Sequence, residues 1–293
     1  MNDYIDRRVV TPTDLIKEEK SIIKTITKFD TVRHSLNEFA GFQFAKSIGC
    51  SIPTFVSLND GALTMEFVEG ISVYRTMEVL AKHGYVDVIE KIVKYLCDDV
   101  HNIQEQRKFL TIDKLEYYDV RKKVGEIFTV MQDDNWKNVE LLLRRSFKIL
   151  KIFEEYACVP FRDATPKNYI VRGMCERSIL QGDADTIIKN IVSIDFSTIN
   201  TLTTRIDDFA SVLYHYMIPD DIRSKMMKSF TKDMPKEDVV IGTFVRLGRF
   251  WVRRRYYQKE YPELFDKRYA YENMKFYEES FRKSVDDVIQ LIS

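Results

Sequence analysis

The chain has 293 residues, of which 45% are hydrophobic and 31% charged, with only 10 glycines and 7 prolines. This composition excludes a disordered or linker-rich chain and is sufficient for one large domain or two coupled lobes. Basic and acidic residues both number 45, so the net charge is zero. No global field therefore favours nucleic acid or a membrane surface as the obligatory partner.

The cysteines and the longest apolar segments indicate where the protein resides. Cys50, Cys97, Cys158 and Cys175 form no CxxC pair and no cluster with histidine at zinc-site spacing, which is typical of isolated thiols in a reducing compartment. We find no signal peptide and no segment of bilayer-spanning length. The sequence therefore predicts a cytoplasmic protein without a membrane span.

Short strands and one helix are predicted first. The β-branched run SIIKTI at 21–26 predicts a strand, and helical periodicity follows from about Thr31 to Ile48. The apolar runs at 54–58 and 62–68 are separated by Asn-Asp-Gly, which favours a hairpin. The sequence up to residue 70 therefore predicts a small sheet with one helix.

Long helical periodicities replace this pattern after residue 70. Apolar residues trace one helix face between 89 and 103 and another between 139 and 153. Strand-like runs at 169–171 and 190–196 interrupt the helices. Three further helices are predicted after them, at 206–217, 236–257 and 270–291. The fold class is therefore predicted as α+β, with a small β-rich lobe at 1–70 and a larger helical lobe at 71–293.

Three polar residues in this second part have the chemistry of a phosphoryl-transfer site. Such a site needs a carboxylate that orients the attacking hydroxyl and oxygen ligands that hold Mg²⁺. Asp163 and Asn168 lie five residues apart in a segment containing Pro166, so one loop can present both. Asp195 lies near the end of an apolar strand, which can hold a carboxylate rigidly on a metal. Read singly, such acids are more often turn residues or helix caps.

Several motifs resemble those of one enzyme family. FRDATPKN at 161–168 resembles the HRDxxxxN catalytic loop, and SIDFS at 193–197 resembles the metal-binding DFG or IDF segment of protein-kinase-like enzymes. EFVEG at 66–70, VHNI at 100–103 and DDFA at 207–210 are similar to the hinge, a helix ending and the Asp-Leu-Ala motif of the aminoglycoside phosphotransferase and choline kinase branch. The chain resembles this branch in the order of its motifs.

The resemblance implies a two-lobed protein-kinase-like fold that binds ATP and Mg²⁺, with a role for each matching residue. It implies that Asp163 is the catalytic base and that Asn168 and Asp195 are the Mg²⁺ ligands. It also implies that Lys24 contacts the ATP phosphates and pairs with Glu38. From the residues alone, Lys20 and Lys28 are alternatives to Lys24, and Glu38 also fits a solvated helix surface.

The same resemblance implies a binding surface for adenine and a support for the catalytic loop. Backbone groups around Glu66 and Val68 would meet the adenine edge. Asp208 would brace the catalytic loop from the next helix. The chain departs from the family pattern at Phe161, which replaces the usual histidine, and in having no glycine before Gly41. No glycine-rich phosphate loop therefore precedes the lysine strand.

The function implied is transfer of the ATP γ-phosphate to a hydroxyl of a small molecule such as a sugar, an aminoglycoside or an amino alcohol. The IDFS form and the absence of a following Ala-Pro-Glu segment favour a small molecule over a protein acceptor. The sequence does not specify the oligomeric state. An alternative is an inactive pseudokinase scaffold, which the missing glycine loop would suit.

A second alternative is a nucleic-acid-binding module that uses the basic and aromatic segment 246–259. The same segment also fits an amphipathic helix whose aromatic residues pack inward and whose arginines are solvated. We favour the helix, because basic clusters on helices are common and the total charge is balanced. Nucleic acid is therefore not the expected partner.

Overall fold

A computed structural model describes most of the chain in several ranges. They are residues 13–18, 21–26, 31–59, 62–106, 116–117, 120–133, 136, 138–142, 144–145, 159–160, 162–196, 201–260, 262 and 271–293. The chain divides into two compact units. Unit 1 consists of Met1–Glu116 and Pro160–Thr201, and unit 2 consists of Tyr117–Val159 and Leu202–Ser293. This division into compact units does not test the predicted lobe boundary at residue 70, which stays a prediction.

The first part of unit 1 is an antiparallel sheet with one helix. Its strands are β1 (Thr13–Glu18), β2 (Ser21–Ile26), β3 (Phe55–Asn59) and β4 (Ala62–Glu66), and its helix is α1 (Thr31–Ser47). The sheet order is β1-β2-β4-β3. Three predictions are confirmed by these elements: the strand at 21–26, the helix that follows it and the hairpin. The first strand was not predicted.

The remainder of unit 1 combines helices with a second small sheet. The chain continues through β5 (Gly70–Ser72), α2 (Val73–Lys82) and α3 (Val86–Glu105). After residue 168 come β8 (Tyr169–Arg172), α5 (Glu176–Gln181), α6 (Ala184–Lys189) and β9 (Ile191–Ser193). Their numbers follow those of the elements that are described with unit 2 below. Strands β5, β8 and β9 pair in that order. Both strands predicted around 169–171 and 190–196 are therefore confirmed, while α5 and α6 occupy a polar stretch for which no helix was predicted.

Two apolar clusters hold unit 1 together. The larger one is built from α1, β4, the end of α3 and the phenylalanine of the IDF motif, and it contains Phe42, Phe44, Ala45, Leu63, Met65, Ile103 and Phe196. The ring of Phe196 lies 5.0 Å from that of Phe42, edge to face. The smaller cluster joins Val68 to β8, β9 and Ile194. Residues on both sides of Asp195 are therefore buried in the core of unit 1.

Unit 2 is mainly helical. Its helices are α4 (Val120–Asp133), α7 (Arg205–Leu213), α8 (Asp220–Phe230), α9 (Lys236–Glu260) and α10 (Tyr271–Ile292). Three short strands at the points where the unit assignment of the chain changes, β6 (Glu116–Tyr117), β7 (Val159–Pro160) and β10 (Thr201–Thr203), pair in the order β6-β10-β7. The helices predicted at 206–217, 236–257 and 270–291 are confirmed as α7, α9 and α10. The fold class α+β is confirmed as well.

The arginine-rich segment 246–259 lies within α9, and its arginines are not all solvated as the amphipathic interpretation expected. Trp251 packs in the core of unit 2, as that interpretation did expect. Arg246 and Arg254, however, are only 4% and 6% exposed. Contacts compensate this burial. Asp207 accepts a hydrogen bond from Arg246, and the ring centroid of Tyr277 lies 3.7 Å from the guanidinium carbon of Arg254.

Within the described ranges, Cys50, Cys97 and Cys175 are free thiols, as the sequence predicted. In the same ranges the structure contains no helix with both the length and the apolarity that a membrane crossing requires.

Candidate active site

The predicted catalytic segment of unit 1 is a loop that closes on itself through hydrogen bonds to its backbone. The carbonyl of Asp163 accepts from the backbone N–H of Thr165 (2.7 Å) and from Nδ2 of Asn168 (2.8 Å). The N–H of Asn168 in turn donates to the carbonyl of Thr165 (2.8 Å). Pro166 begins the 3₁₀ turn Pro166–Asn168, where its fixed φ suits the first helical position. The loop therefore fixes Asp163 and Asn168 relative to each other.

The two aspartates of the candidate site share an unusual backbone conformation. Asp163 has φ 54° and Asp195 has φ 64°, and both lie in the left-handed region that residues other than glycine rarely occupy. Such conformations are typically held in place by their surroundings and concentrate at functional sites. Asp163 and Asp195 are both partly exposed, whereas Asn168 is only 1% exposed.

The loop and the Asp195 segment are joined directly. The N–H of Ile194 donates to the carbonyl of Asn168 (2.8 Å), so the segment before Asp195 continues alongside the loop beyond the pairing of β8 with β9. The structure therefore brings together the three residues that the sequence singled out, Asp163, Asn168 and Asp195.

Arg162 reinforces this junction and was not among the predicted site residues. Its side chain is fully buried, and its guanidinium donates to the carbonyls of Asp195 (2.5 Å) and Ile194 (2.9 Å) and to Oγ of Ser193 (2.8 Å). The ring of Phe196 lies 3.9 Å from the guanidinium carbon. One buried cation thus connects the residue before Asp163 to four consecutive residues around Asp195.

The donor set at this junction fits a hard divalent cation. Nδ2 of Asn168 donates to the Asp163 carbonyl, and Oδ1 is the atom of an amide side chain that has the chemistry of a metal ligand. Carboxylate and amide oxygens are the ligands that Mg²⁺ prefers, and Mg²⁺ usually takes one or two of them together with substrate phosphates. Among the described residues no three His, Cys, Asp or Glu side chains form a cluster that could hold a metal ion.

The predicted lysine–glutamate pair can be followed only in part. Lys24 lies in the middle of β2, where its backbone pairs with Leu15 on β1 and Leu63 on β4, and its side chain lies outside the described residues. Glu38 lies on α1 and is only 1% exposed, which differs from the solvated alternative. A buried glutamate requires hydrogen bonds or a cationic partner. The pairing of Lys24 with Glu38 stays a prediction, and Phe161 also lies outside the described residues.

The predicted hinge is anchored by the side chain of Glu66. Its Oε2 accepts hydrogen bonds from the N–H (3.0 Å) and hydroxyl (2.9 Å) of Thr54 and from Arg172 (3.3 Å). Burial alone would raise the pKa of Glu66, but these hydrogen bonds and the charge of Arg172 bring it below its usual value. The N–H of Glu66 donates to the Thr54 carbonyl (2.8 Å), so this amide is engaged within the protein.

The glycine at the end of the EFVEG motif has a steric explanation. A Cβ atom at Gly70 would lie 2.1 Å from the carbonyl oxygen of Val171, because β5 and β8 approach closely there. Only glycine fits this position without a shift of one strand. Val68, the second predicted adenine contact, is 5% exposed and packs in the smaller cluster of unit 1. Contact of the hinge with adenine stays a prediction.

A cavity of about 560 Å³ lies elsewhere in unit 1. It is lined by the end of α1, the loop that follows it and the edge of the β8–β9 pair, and its charged lining residues are Lys46, Arg172 and Lys189. Asp163, Asn168 and Asp195 do not line it. Asp208, the predicted support of the catalytic loop, is fully buried on α7 in unit 2, and its role stays a prediction.

A comparison of the sequence with models of known protein families finds no match, and a comparison with curated protein sequences finds none either. Solved structures do match. A choline/ethanolamine kinase family protein from Mesorhizobium loti has a TM-score of 0.55 and 8% identity, covering 94% of this chain and 85% of that one. Choline kinase LicA from Streptococcus pneumoniae has a TM-score of 0.54 and 13% identity, covering 95% of this chain and 90% of that one.

The ADP-bound aminoglycoside phosphotransferase APH(2'')-Ib matches with a TM-score of 0.53 and 11% identity, covering 96% of this chain and 97% of that one. At these identities the likeness shows the fold alone. The resemblance to choline kinases and aminoglycoside phosphotransferases, which the sequence motifs indicated, is therefore confirmed for the fold. The chain has the protein-kinase-like fold that choline kinases and aminoglycoside phosphotransferases share.

Proposed function

We propose that this chain is an ATP-dependent phosphotransferase that moves the γ-phosphate of ATP to a hydroxyl group of a small molecule. The observation that carries the proposal is the junction of the catalytic loop with the Asp195 segment. Asp163 and Asp195 both have a left-handed backbone there. Arg162 donates to the Asp195 carbonyl and the carbonyl of Asn168 accepts from the N–H of Ile194, so the two segments are tied together. Two aspartates with strained backbones, in segments that buried hydrogen bonds join, are typical of a functional site.

Asp163 is the proposed catalytic base. Its carboxylate orients the acceptor hydroxyl and takes its proton as the hydroxyl oxygen bonds to the γ-phosphorus. The bond from that phosphorus to the oxygen it shares with the β-phosphate breaks in the same step, and ADP leaves. The hydrogen bonds to the Asp163 carbonyl fix the backbone from which this carboxylate extends.

Asn168 and Asp195 are the proposed ligands of Mg²⁺. When bound, Mg²⁺ would neutralise charge on the nucleotide phosphates. Lys24 is the proposed contact to the phosphates, with Glu38 as its ion-pair partner. The hinge carbonyl of Glu66 and the backbone of Val68 are proposed to meet the adenine edge. The use of a nucleotide is supported by the related structures that hold ADP and GDP.

The proposed acceptor is a small hydroxyl compound such as a sugar, an aminoglycoside or an amino alcohol. The fold supports this class, because matching structures include choline kinase and aminoglycoside phosphotransferase. We also propose a two-lobed arrangement with a boundary at residue 70, and a cytoplasmic location, where ATP is available.

The proposal is tested by thermal unfolding with ATP in the presence and absence of Mg²⁺. Wild-type protein is expected to be stabilised by Mg-ATP, since a ligand that binds only the folded state raises its stability. Asp195→Ala should abolish the Mg²⁺-dependent part of this shift. Asp185→Ala is the matched control, because Asp185 is an exposed carboxylate of the same unit on α6.

Turnover is tested by ADP release with a panel of aminoglycosides, amino alcohols and sugars. Asp163→Asn is expected to abolish turnover while nucleotide binding is kept. A wild-type protein that Mg-ATP does not stabilise would refute the enzyme proposal. A protein that binds Mg-ATP but phosphorylates no acceptor of the panel would instead support the pseudokinase alternative, which the missing glycine loop favours.

A further inference from the structure

A partly buried carboxylate lies beside the catalytic loop and has no role in the proposed chemistry. Asp99 on α3 accepts a hydrogen bond from the hydroxyl of Tyr169 at Oδ2 (2.9 Å) and one from Sγ of Cys50 at Oδ1 (3.5 Å). These partners are 70 and 49 residues away in sequence. Asp99 therefore joins three separate segments of unit 1.

Tyr169 links Asp99 to both parts of the candidate site. It follows Asn168 directly in sequence and begins β8. Its ring centroid lies 5.3 Å from the guanidinium carbon of Arg162, so the same side chain contacts Asp99 through its hydroxyl and faces Arg162 with its ring. A shift of Tyr169 would therefore move the backbone of Asn168 and the packing of Arg162.

The charge of Arg162 also acts on Asp99 directly. Burial raises the pKa of the Asp99 carboxyl, while the positive charge of Arg162 and the hydrogen bonds from Tyr169 and Cys50 oppose this rise. Burial, together with the negative charge of Asp99, raises the pKa of the Cys50 thiol, which keeps it protonated and able to donate. The cluster thus places the Asp99 carboxyl within the field of a fully buried arginine.

Arg162 is the element through which Asp99 can affect the site. Its guanidinium donates to the carbonyl of Asp195, a residue whose left-handed backbone needs support from its surroundings. A guanidinium is planar and preorganised, so it loses little freedom for each hydrogen bond that it makes. The position of Arg162 therefore determines how firmly Asp195 is held.

We propose that Asp99 is a positioning residue of the phosphoryl-transfer site, which holds Tyr169 and Arg162 and through them fixes Asn168 and Asp195. The inference rests on the proposed function, because it assigns Asn168 and Asp195 to Mg²⁺. Asp99 contacts neither residue in the described hydrogen bonds, and its effect is indirect. Residues that orient metal ligands in this way typically alter metal affinity or activity about 10-fold to 100-fold when they are replaced.

The test compares ATP affinity with and without Mg²⁺, measured by calorimetry on the full chain. The dissociation constant without Mg²⁺ divided by the one with Mg²⁺, here called the Mg²⁺ ratio, measures the affinity that Mg²⁺ contributes. Asp99→Asn keeps the shape of the side chain but removes its charge, and we expect it to reduce this ratio by about 10-fold or more. Its affinity for ATP without Mg²⁺ should change by less than about twofold, because that affinity does not use the metal ligands.

Asp98→Asn is the matched control. Asp98 is the preceding residue of α3, has a side chain that is 50% exposed, and pairs with Lys94 (2.6 Å) on the helix surface. The same change of charge there should leave both affinities as in wild type.

Tyr169→Phe provides a second variant that removes a single hydroxyl and keeps the ring beside Arg162. We expect the same direction of change but a smaller one, about fivefold, from the loss of one hydrogen bond. The Mg²⁺ ratio of the double variant should be no lower than that of Asp99→Asn alone, because both changes weaken the same link between Asp99 and Tyr169. A purely structural role would lower the unfolding temperature of these variants without changing the Mg²⁺ ratio.

The outcomes separate this inference from the proposed function. If wild-type protein gains no ATP affinity from Mg²⁺, the proposed function fails and the role of Asp99 fails with it. If wild type does gain affinity and Asp99→Asn and Tyr169→Phe keep the same ratio, only the positioning role is overturned. An equal loss in Asp98→Asn would also overturn it, since the effect would then follow from charge on α3 in general.

Discussion

Two buried arginine clusters in this chain use their charges differently. In unit 2, Arg246 and Arg249 both donate to the carboxylate of Asp207, at 3.2 Å and 3.1 Å, and the hydroxyl of Thr203 donates to it as well (2.7 Å). In unit 1, Arg162 donates to the backbone carbonyls of Ile194 and Asp195. In the first cluster two arginines bind a carboxylate. In the second, one arginine binds the backbone carbonyls of a strained segment.

We propose that this difference separates a structural role, for the cluster of unit 2, from a functional one, for Arg162. The carboxylate of Asp207 is almost fully buried, so the loss of its charge would leave nearby cations without compensation and would lower the stability of unit 2. The guanidinium of Arg162 supports the conformation of Asp195, so its replacement should affect ligand binding beyond any effect on stability. Each of the following changes tests one side of this comparison.

Asp207→Ala is expected to have the largest effect on stability. Removal of one partner from a buried ion pair typically costs about 3–5 kcal/mol, because the remaining charge stays buried. Urea unfolding followed by tryptophan fluorescence reports on unit 2, since both tryptophans, Trp136 and Trp251, lie in its core. Asp286→Ala, an exposed acid on α10, is the control and should unfold as wild type does. A loss below 1 kcal/mol would contradict the structural role assigned to this cluster.

Asp238→Asn tests a second buried carboxylate of unit 2, whose burial a nearby charge offsets only in part. Asp238 is 5% exposed, and within the described residues its Oδ1 makes no hydrogen bond. Burial raises its pKa from 3.8 to about 6, partly opposed by the charge of Arg205. As the pH rises through 6, the folded protein must hold a buried charge that the unfolded chain carries in water. Asp238 therefore lowers stability above pH 6 and has no such effect below about pH 4.

The asparagine variant is uncharged at every pH. It should gain up to about 3 kcal/mol over wild type at pH 7, from 1.36 kcal/mol for each pKa unit, and the gain should vanish near pH 4. Urea unfolding from pH 4 to pH 8 measures this difference. Glu237→Gln, the exposed neighbour in the same helical turn, should show no comparable pH dependence. A gain that is constant with pH would rule out the raised pKa as its cause.

Arg162→Lys tests the functional side of the comparison. Lysine keeps the positive charge, but its compact ammonium cannot reproduce the donor geometry that reaches Ser193, Ile194 and Asp195. We expect the Mg²⁺-dependent gain in ATP affinity to fall by about 10-fold to 100-fold. Calorimetry with and without Mg²⁺ measures it, with Arg177→Lys on the surface of α5 as the control. An unchanged gain would show that Arg162 serves stability alone.

The elements that the sequence predicted are those with strong local signals. The Asn-Asp-Gly turn between two apolar runs predicted the hairpin of β3 and β4, and long periodicity predicted α3, α9 and α10. The two short helices α5 and α6 were missed, because six residues hold too little periodicity to recognise. A local signal was nevertheless present, since Oδ1 of Asp183 caps α6 through the N–H of Thr186 (2.7 Å).

The candidate site was predictable as a set of residues but not as a network. The order of the motifs predicted that Asp163, Asn168 and Asp195 would come together, and the hydrogen bond from Ile194 to Asn168 agrees with this prediction. The left-handed backbone of the two aspartates depends on contacts between distant segments, which one sequence does not display. A signal for Asp99 did exist, because an acid between Leu96 and Ile103 interrupts an apolar helix face and so requires a partner.

Tyr277→Phe is the mildest change and tests a neutral contact beside the charged cluster of unit 2. The hydroxyl of Tyr277 lies 2.9 Å from Nδ1 of His215, whose Nε2 lies 2.9 Å from the carbonyl of Ser211. A carbonyl can only accept, so Nε2 carries a proton, and in the neutral ring Nδ1 accepts from the tyrosine. Loss of this bond should lower the free energy of unfolding by about 1 kcal/mol in urea, because the ring stays in place. Tyr256→Phe, at a side chain 52% exposed on α9, should change it by much less. Equal effects at the two positions would mean that the buried histidine does not depend on this hydroxyl.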